Sequence, residues 1–176
     1  KEGKPNFPTR IFVNDDLKVS VFLSYLTLHE SLHRIAAKTM LKWAKKQKVE
    51  LIISSVAIKD QEGIEGMVAV GNTDSARIKI KKAGLKGIEQ GTIPGIPGVL
   101  LNEGSITDQD VIVILFQSSG TGPDFKSGAE LCMAMSQLIP GTSCDIPLLQ
   151  REAEKAEQSM KKTEEESRLL KDSMYR

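Results

Sequence analysis

The segment His29-Glu30-Ser31-Leu32-His33 is the clearest chemical pattern in this sequence, an H-E-x-x-H match. On a continuous helix the two His side chains share one face and can bind zinc, with Glu30 as general base. The sequence has 2 His in all, so a third protein ligand would have to be acidic. The pattern also opens its helix, where Thr27 can be the N-cap and Glu30 can complete a capping box. We therefore expect a capping turn with half-exposed His side chains, and a zinc-dependent hydrolase remains an alternative.

Two glycine-rich loops are candidates for a small-ligand site. Residues 91–98 lead into a predicted helix, whose free backbone N–H groups could hold an anion. Their spacing matches neither the P-loop nor the dinucleotide fingerprint, so we expect a tight structural turn. Residues 118–122 follow an apolar strand and could line a pocket, but no general base accompanies their hydroxyl groups. A small-ligand binding α/β domain is thus a second alternative, and we expect no cofactor.

The charge and composition of the chain exclude several classes of function. The net charge of +1 gives no reason to expect binding to nucleic acid or to an acidic membrane surface. The longest apolar runs, such as 111–116, are far too short to span a bilayer. No basic region followed by an apolar stretch opens the chain, so we expect a cytoplasmic protein. In that compartment Cys132 and Cys144 are expected to be reduced structural thiols.

Apolar periodicity predicts an alternation of strands and helices. The apolar run at 50–58 and the run at 110–116 are typical of strands covered on both faces. Thr73 or Asp74 is expected to cap one helix and Asp124 another. The pattern predicts an α/β fold with a mixed, mostly parallel sheet and an antiparallel hairpin. The expected strands cover 10–14, 18–24, 50–58, 67–70 and 110–116, and the expected helices 29–48, 73–82, 97–104 and 124–138.

A long final helix is predicted to begin at Asp145, with Pro147 in its first turn. At 1.5 Å per residue, a helix over 145–173 would reach roughly 43 Å. We expect a strut that carries the terminus away from the body; a helix folded back on its own domain and a coiled-coil seam for an oligomer are the alternatives. Its narrow seam follows a 3-4 alternation and weakens at two polar positions, Thr163 and Ser167; the other seam residues are Ile146, Leu149, Ala153, Ala156, Met160, Leu170 and Met174.

The final triplet, Met174-Tyr175-Arg176, places a hydrophobic residue and a penultimate Tyr before the last residue of the sequence. Such a tail can dock in a pocket through its Tyr side chain and its free carboxylate. We therefore expect two parts in the chain. An α/β core domain covers residues 1–144, and the helix with its docking tail covers residues 145–176.

Four segments, taken in order, resemble the archaeal branch of the proteasome assembly chaperone family. They are a helix-to-strand passage at 41–53, a turn and helix at 91–101, a late-helix motif at 123–129 and the final-helix motif at 145–156. The similarity runs from about Phe7 onward. Phe125 replaces a Pro of the family pattern and Gly128 replaces an Ala. The first strand and helix of the family have no counterpart before Lys1, so we expect an incomplete N-terminal part.

The resemblance implies a three-layer α/β/α sandwich, phosphorylase-like, that self-associates and is not an enzyme. In archaeal relatives of this kind, C-terminal helices end in a hydrophobic residue, a Tyr and any final residue. Their Tyr enters a pocket between adjacent α-subunits of the proteasome core particle, and the terminal carboxylate pairs with a Lys. By similarity, Met174 would be the hydrophobic contact, Tyr175 the anchor and Arg176 the carboxylate donor. The seam residues Leu149, Ala153, Ala156, Met160 and Leu170 would serve the oligomer or the tail helix.

Overall fold

A computed structural model describes residues 7–58, 66–88, 90–118, 124–151, 154, 155 and 158 of the 176-residue chain. Strands and helices alternate, as the sequence predicts. The strands are β1 (Thr9–Asn14), β2 (Val19–Ser24), β3 (Leu51–Ile58), β4 (Val68–Gly71), β5 (Lys86–Gly87) and β6 (Asp110–Gln117). The α-helices are α1 (His33–Lys46), α2 (Asp74–Lys82), α3 (Gly95–Thr107) and α4 (Phe125–Leu138).

The main sheet has four strands in the order β3-β6-β4-β5. Strand β3 lies parallel to β6, from Leu51 opposite Asp110 to Ile58 opposite Gln117. Strand β4 runs antiparallel to β6 and parallel to β5. The predicted mixed, mostly parallel sheet is therefore confirmed. The two-residue strand β5 was not predicted, because a Lys-Gly pair has no strand-forming pattern of its own.

Strand β6 is the centre of the core because helices cover both of its faces. Ile112 and Ile114 are fully buried on one face, against side chains from α2 and α4. Val111 and Val113 are fully buried on the other face, against side chains from α1 and α3. A strand buried on both faces reads as a continuous apolar run, which is the pattern at 111–115. The result is the expected three-layer α/β/α arrangement.

Helix α3 is longer than the sequence predicts. The predicted span of 97–104 took Gly104 as the helix end, but the helix runs from Gly95 to Thr107. Gly104 is a packing residue inside the helix, because a Cβ there would lie 2.7 Å from Val111 Cγ2. Asp108, in the left-handed region with φ 56°, ends the helix instead, and its N–H donates to the Gly104 carbonyl.

Two of the predicted N-caps are present as hydrogen bonds. The Thr73 hydroxyl accepts from the Ala76 N–H at 3.0 Å at the start of α2. The Asp124 carboxylate accepts from the Ser127 N–H at 3.0 Å at the start of α4. Each cap satisfies a backbone donor that the first helical turn leaves unpaired.

The hairpin of β1 and β2 forms a separate two-stranded sheet. Its register pairs Thr9 with Ser24 and Asn14 with Val19. The Asn14 side chain closes the turn by accepting from the Leu17 N–H at 3.0 Å. The predicted hairpin and its turn chemistry are thus confirmed. In the described part of the chain, no helix combines the length and apolarity needed to cross a membrane.

Candidate partner-binding surfaces

The docking tail, Met174 to Arg176, lies outside the described residues, as do the seam residues Ala153, Ala156, Met160 and Leu170. The beginning of their helix is described. Residues 146–151 are helical, and the Asp145 carboxylate accepts from the Leu148 N–H at 3.0 Å. The predicted start and N-cap of the final helix are therefore confirmed. Leu149 of the seam is half-buried, whereas the neighbouring Leu148 is 52% exposed.

A disulfide joins Cys132 of α4 to Cys144, with 5.7 Å between their Cα atoms. The prediction of two reduced thiols is wrong for this structure. The chain reverses direction after α4 through Gly141, whose φ is +80°, and this reversal returns Cys144 to the side of the helix. The bond sits immediately before Asp145, so it covalently fixes the base of the final helix to the core. Sequence alone could not indicate it, because pairing depends on that reversal.

The H-E-x-x-H segment does not form a zinc motif. His29 has an extended backbone and precedes a 3-10 turn over Glu30–Leu32, so His29 and His33 do not share a continuous α-helix. His29, rather than the expected Thr27, is the N-cap: its Nδ1 accepts from the Ser31 N–H at 3.3 Å. His33 Nε2 donates to the Leu28 carbonyl at 3.1 Å. Among the described residues, no three His, Cys, Asp or Glu side chains converge as a potential metal site.

The loop at 91–98 borders an open cavity of about 280 Å³. Gly98 is required there, because a Cβ would lie 1.8 Å from the Ile93 carbonyl oxygen. The polar side chain of Asn72 in the lining is already engaged: its Nδ2 donates to the Gln109 carbonyl and its Oδ1 accepts from the Val111 N–H. This chemistry fits a structural turn. Of the second loop, at 118–122, only Ser118 lies within the described residues.

Asp110 is the centre of a partly buried polar cluster at the start of β6. Its carboxylate accepts from the Thr73 hydroxyl at 2.5 Å, the Ser75 hydroxyl at 2.6 Å and the Lys79 ammonium at 2.5 Å. Burial would raise the pKa of Asp110, but the hydrogen bonds from Lys79, Ser75 and Thr73 lower this pKa to about 2. The cluster fastens α2 to the central strand. Lys79 also donates to Ser75 Oγ at 2.6 Å, so this ammonium cannot serve that hydroxyl as a base.

Glu103 is a buried carboxylate, 4% exposed, that joins α3 to α1. It accepts from Arg34 Nε at 2.7 Å and pairs with Lys38 Nζ at 3.5 Å. The hydrogen bond from Arg34 lowers the pKa of Glu103, against the opposing effect of burial. A paired, ionised Glu in this position acts as a fastener between helices.

The hairpin exposes large apolar side chains on both faces, a feature that the sequence analysis missed. We call this set the hairpin surface; it comprises Ile11, Phe12, Val13, Val21, Phe22 and Leu23, each between 39% and 62% exposed. Residues alternate between the two faces of a strand, so a hairpin covered on one face should alternate apolar with polar residues. The runs Ile11-Phe12-Val13 and Val21-Phe22-Leu23 do not alternate. These continuous apolar runs in the sequence could have indicated that both faces of the hairpin are apolar.

The sequence profile of the PAC2 family matches residues 1–164. The chain belongs to the PAC2 family. This confirms the family expected from the sequence. A search of curated proteins finds no match.

Solved structures share the PAC2 fold of this chain. A crystal structure of Pyrococcus furiosus PbaA, described as an archaeal homolog of proteasome-assembly chaperone, superposes with a TM-score of 0.78 and 23% identity over 99% of this chain and 73% of its own. A Thermoplasma acidophilum protein of unknown function superposes with a TM-score of 0.73 and 20% identity, over 98% of this chain and 71% of its own. Pyrococcus furiosus PbaB, described as an archaeal proteasome activator, superposes with a TM-score of 0.57 and 17% identity, over 88% of this chain and 77% of its own. These likenesses establish the fold of the chain.

Proposed function

We propose that this PAC2 protein is a non-catalytic, homo-oligomeric proteasome assembly chaperone-like protein of the cytoplasm. Its partners would be the α-subunits of the proteasome core particle and further copies of itself, with no nucleic acid, membrane or cofactor. The observation that carries the proposal is the family match over residues 1–164. The shared fold with PbaA and PbaB, whose descriptions name a proteasome-assembly chaperone homolog and a proteasome activator, supports it.

The docking element would be the tail at the end of the final helix. In this proposal Met174 supplies the hydrophobic contact, Tyr175 is the anchor and Arg176 provides the terminal carboxylate. A Tyr that buries its ring and satisfies its hydroxyl is a common source of binding energy at interfaces. One short tail binds weakly, so several tails on an oligomer would be needed for high avidity.

The attachment of the final helix to the core supports a division of the chain into a core domain and a docking helix. The Asp145 cap and the disulfide from Cys132 to Cys144 hold the helix to the core where it begins. A core of residues 1–144 could thus present a helix and tail of residues 145–176 in a fixed direction. The seam of that helix, which includes Leu149, would pack against the core or another copy.

A non-catalytic role is supported by the state of the polar clusters in the described residues. The Ser75 hydroxyl is held between Lys79 and Asp110, and the Glu103 carboxylate is held by Arg34. The carboxylate that accepts from Ser75 has a pKa lowered to about 2, so it is a weak base, whereas a nucleophilic hydroxyl requires an effective base beside it. Both clusters therefore fit a structural role.

The proposal is tested by binding purified core particles to two versions of the chain. We expect deletion of Met174 to Arg176 to weaken binding by at least about tenfold, because the anchor and the carboxylate are both lost. Ser173→Ala, a small change next to the tail, is the matched control and should bind normally. Equal binding by the full and the truncated chain would overturn the tail as the docking element.

A further inference from the structure

We infer that the bond between Cys132 and Cys144 is a thiol–disulfide exchange site, and that its reduction releases the final helix from the core. Cys132 lies in the middle of α4, and Cys144 directly precedes Asp145, the N-cap of the final helix. The bond joins residues 12 positions apart, so it ties the base of the final helix to α4. The effect on tail docking rests on the proposed function, whereas the release of the helix does not.

The disulfide is a long-range link in a segment whose polar contacts are otherwise local. In the described part of the chain, the hydrogen bonds of residues 140–151 stay within 139–151. No ion pair between described residues joins this segment to the core. Without the disulfide, the partial burial of Ile146 and Leu149 is what remains to hold the helix in place. Breaking one covalent bond should therefore free the segment.

The bond lies at the surface of the protein, where a small reductant can reach it. Both cysteines are partly exposed, and each has an exposed neighbour, Met133 beside Cys132 and Ser143 beside Cys144. Exposed disulfides are the labile and regulatory class, whereas structural ones resist reduction. The proposed cytoplasmic location agrees with this: disulfides are rare there, and those present are usually catalytic or respond to the redox state.

The reaction requires a dithiol as its co-reactant. One thiolate of the dithiol attacks a sulfur of the bond, which breaks the bond and forms a mixed disulfide with the chain. The second thiol of the reductant then attacks this mixed disulfide and releases the chain. The chain gains two electrons and two protons and ends with free thiols at Cys132 and Cys144, and the dithiol ends as a disulfide.

Reduction would convert the connection between α4 and the final helix into a hinge. Pro140 and Gly141 follow α4, and Gly141 has a positive φ of +80°, a conformation that glycine adopts without strain. In the oxidised chain the helix leaves the core in one direction. In the reduced chain its tail would sample many positions, which lowers the effective concentration of each further tail at its pocket.

Hydrogen exchange followed by mass spectrometry tests the release on the free protein. In native buffer, dithiothreitol should produce two reactive thiols and make the amides of 145–151 exchange at least about tenfold faster. The amides of β6 should remain protected in both forms, which shows that the core stays folded. The double variant Cys132→Ser with Cys144→Ser is the matched control and should exchange like the reduced chain, with or without dithiothreitol. A bond that is reduced only in denaturant, or equal exchange in the oxidised and reduced chains, would overturn the inference.

Binding to purified core particles tests the consequence for docking. The oxidised chain should bind at least about tenfold more tightly than the reduced chain. The double Ser variant should bind as weakly as the reduced chain. Equal binding by the oxidised and reduced chains would refute control of docking by this bond. Absence of binding by both forms, with the change in hydrogen exchange intact, would refute the proposed function alone.

Discussion

Because of Asp110, the free energy of unfolding is expected to decrease at acidic pH. Its side chain is 14% exposed and accepts three hydrogen bonds, from Thr73, Ser75 and Lys79. The pKa of Asp110 falls from 3.8 to about 2 on folding. A carboxylate with a lowered folded pKa stabilises the fold fully above the unfolded pKa, and this contribution disappears as the pH falls toward the folded value. A difference of this size is equivalent to about 2 kcal/mol in the free energy of unfolding.

The variant Asp110→Asn tests this magnitude. At pH 7 we expect it to be less stable than the native chain by about 2 kcal/mol, since an amide cannot replace the ionised partner of Lys79. The difference should shrink between pH 5 and pH 2 as Asp110 becomes protonated in the native chain. Urea titrations at each pH, followed by far-UV circular dichroism, measure it without the screening that a salt denaturant adds.

Asp108→Asn is the matched control for this titration. Asp108 is exposed and has a left-handed backbone with φ 56°, which Asn also tolerates. We expect a change within about 0.5 kcal/mol in the free energy of unfolding. A difference between the native chain and Asp110→Asn that stays constant from pH 7 to pH 2 would refute the assignment of acid sensitivity to this cluster.

Two further predictions concern the disulfide and the packing of α3. Reducing the bond between Cys132 and Cys144 with a dithiol should lower the free energy of unfolding by about 3 kcal/mol. A variant with both residues changed to Ser should be insensitive to the reductant. Equal urea midpoints of the native chain with and without reductant would contradict this prediction. Gly104→Ala should cost about 1–3 kcal/mol because its Cβ would lie 2.7 Å from Val111 Cγ2. Gly128→Ala on α4 meets open space and should stabilise by about 0.5–1 kcal/mol, so equal effects of the two substitutions would disprove the packing argument.

Local signals in the sequence were sufficient for much of the fold. The strand at 110–116 was predictable because burial on both faces demands a continuous apolar run. The run at 50–58 gave the same signal, although its strand lies at the edge of the sheet and is only partly buried. The Thr73 and Asp124 caps were predictable because a short polar side chain before an apolar-periodic segment satisfies the first free N–H groups. These features depend on residues a few positions apart, so no long-range information was needed.

The features that the sequence analysis missed depend on distant neighbours. Gly104 resembled a helix end, but its small size is required by Val111 on the adjacent strand. The cysteines pair because the chain turns back after α4. The H-E-x-x-H pattern failed because His29 accepts a hydrogen bond from Ser31 and stands outside the helix. The two apolar strands of the hairpin were predictable from the sequence. That the apolar side chains on both faces of the hairpin are exposed is seen only in the three-dimensional structure.

The affinity of purified core particles for the chain, with and without one extra residue after Arg176, tests the central claim most directly. The extension keeps every side chain of the tail and moves only the terminal carboxylate. If Tyr175 anchors the tail and the carboxylate of Arg176 completes the contact, the extended chain should bind at least about tenfold more weakly. Equal affinity of the two chains would contradict docking through the C-terminal tail.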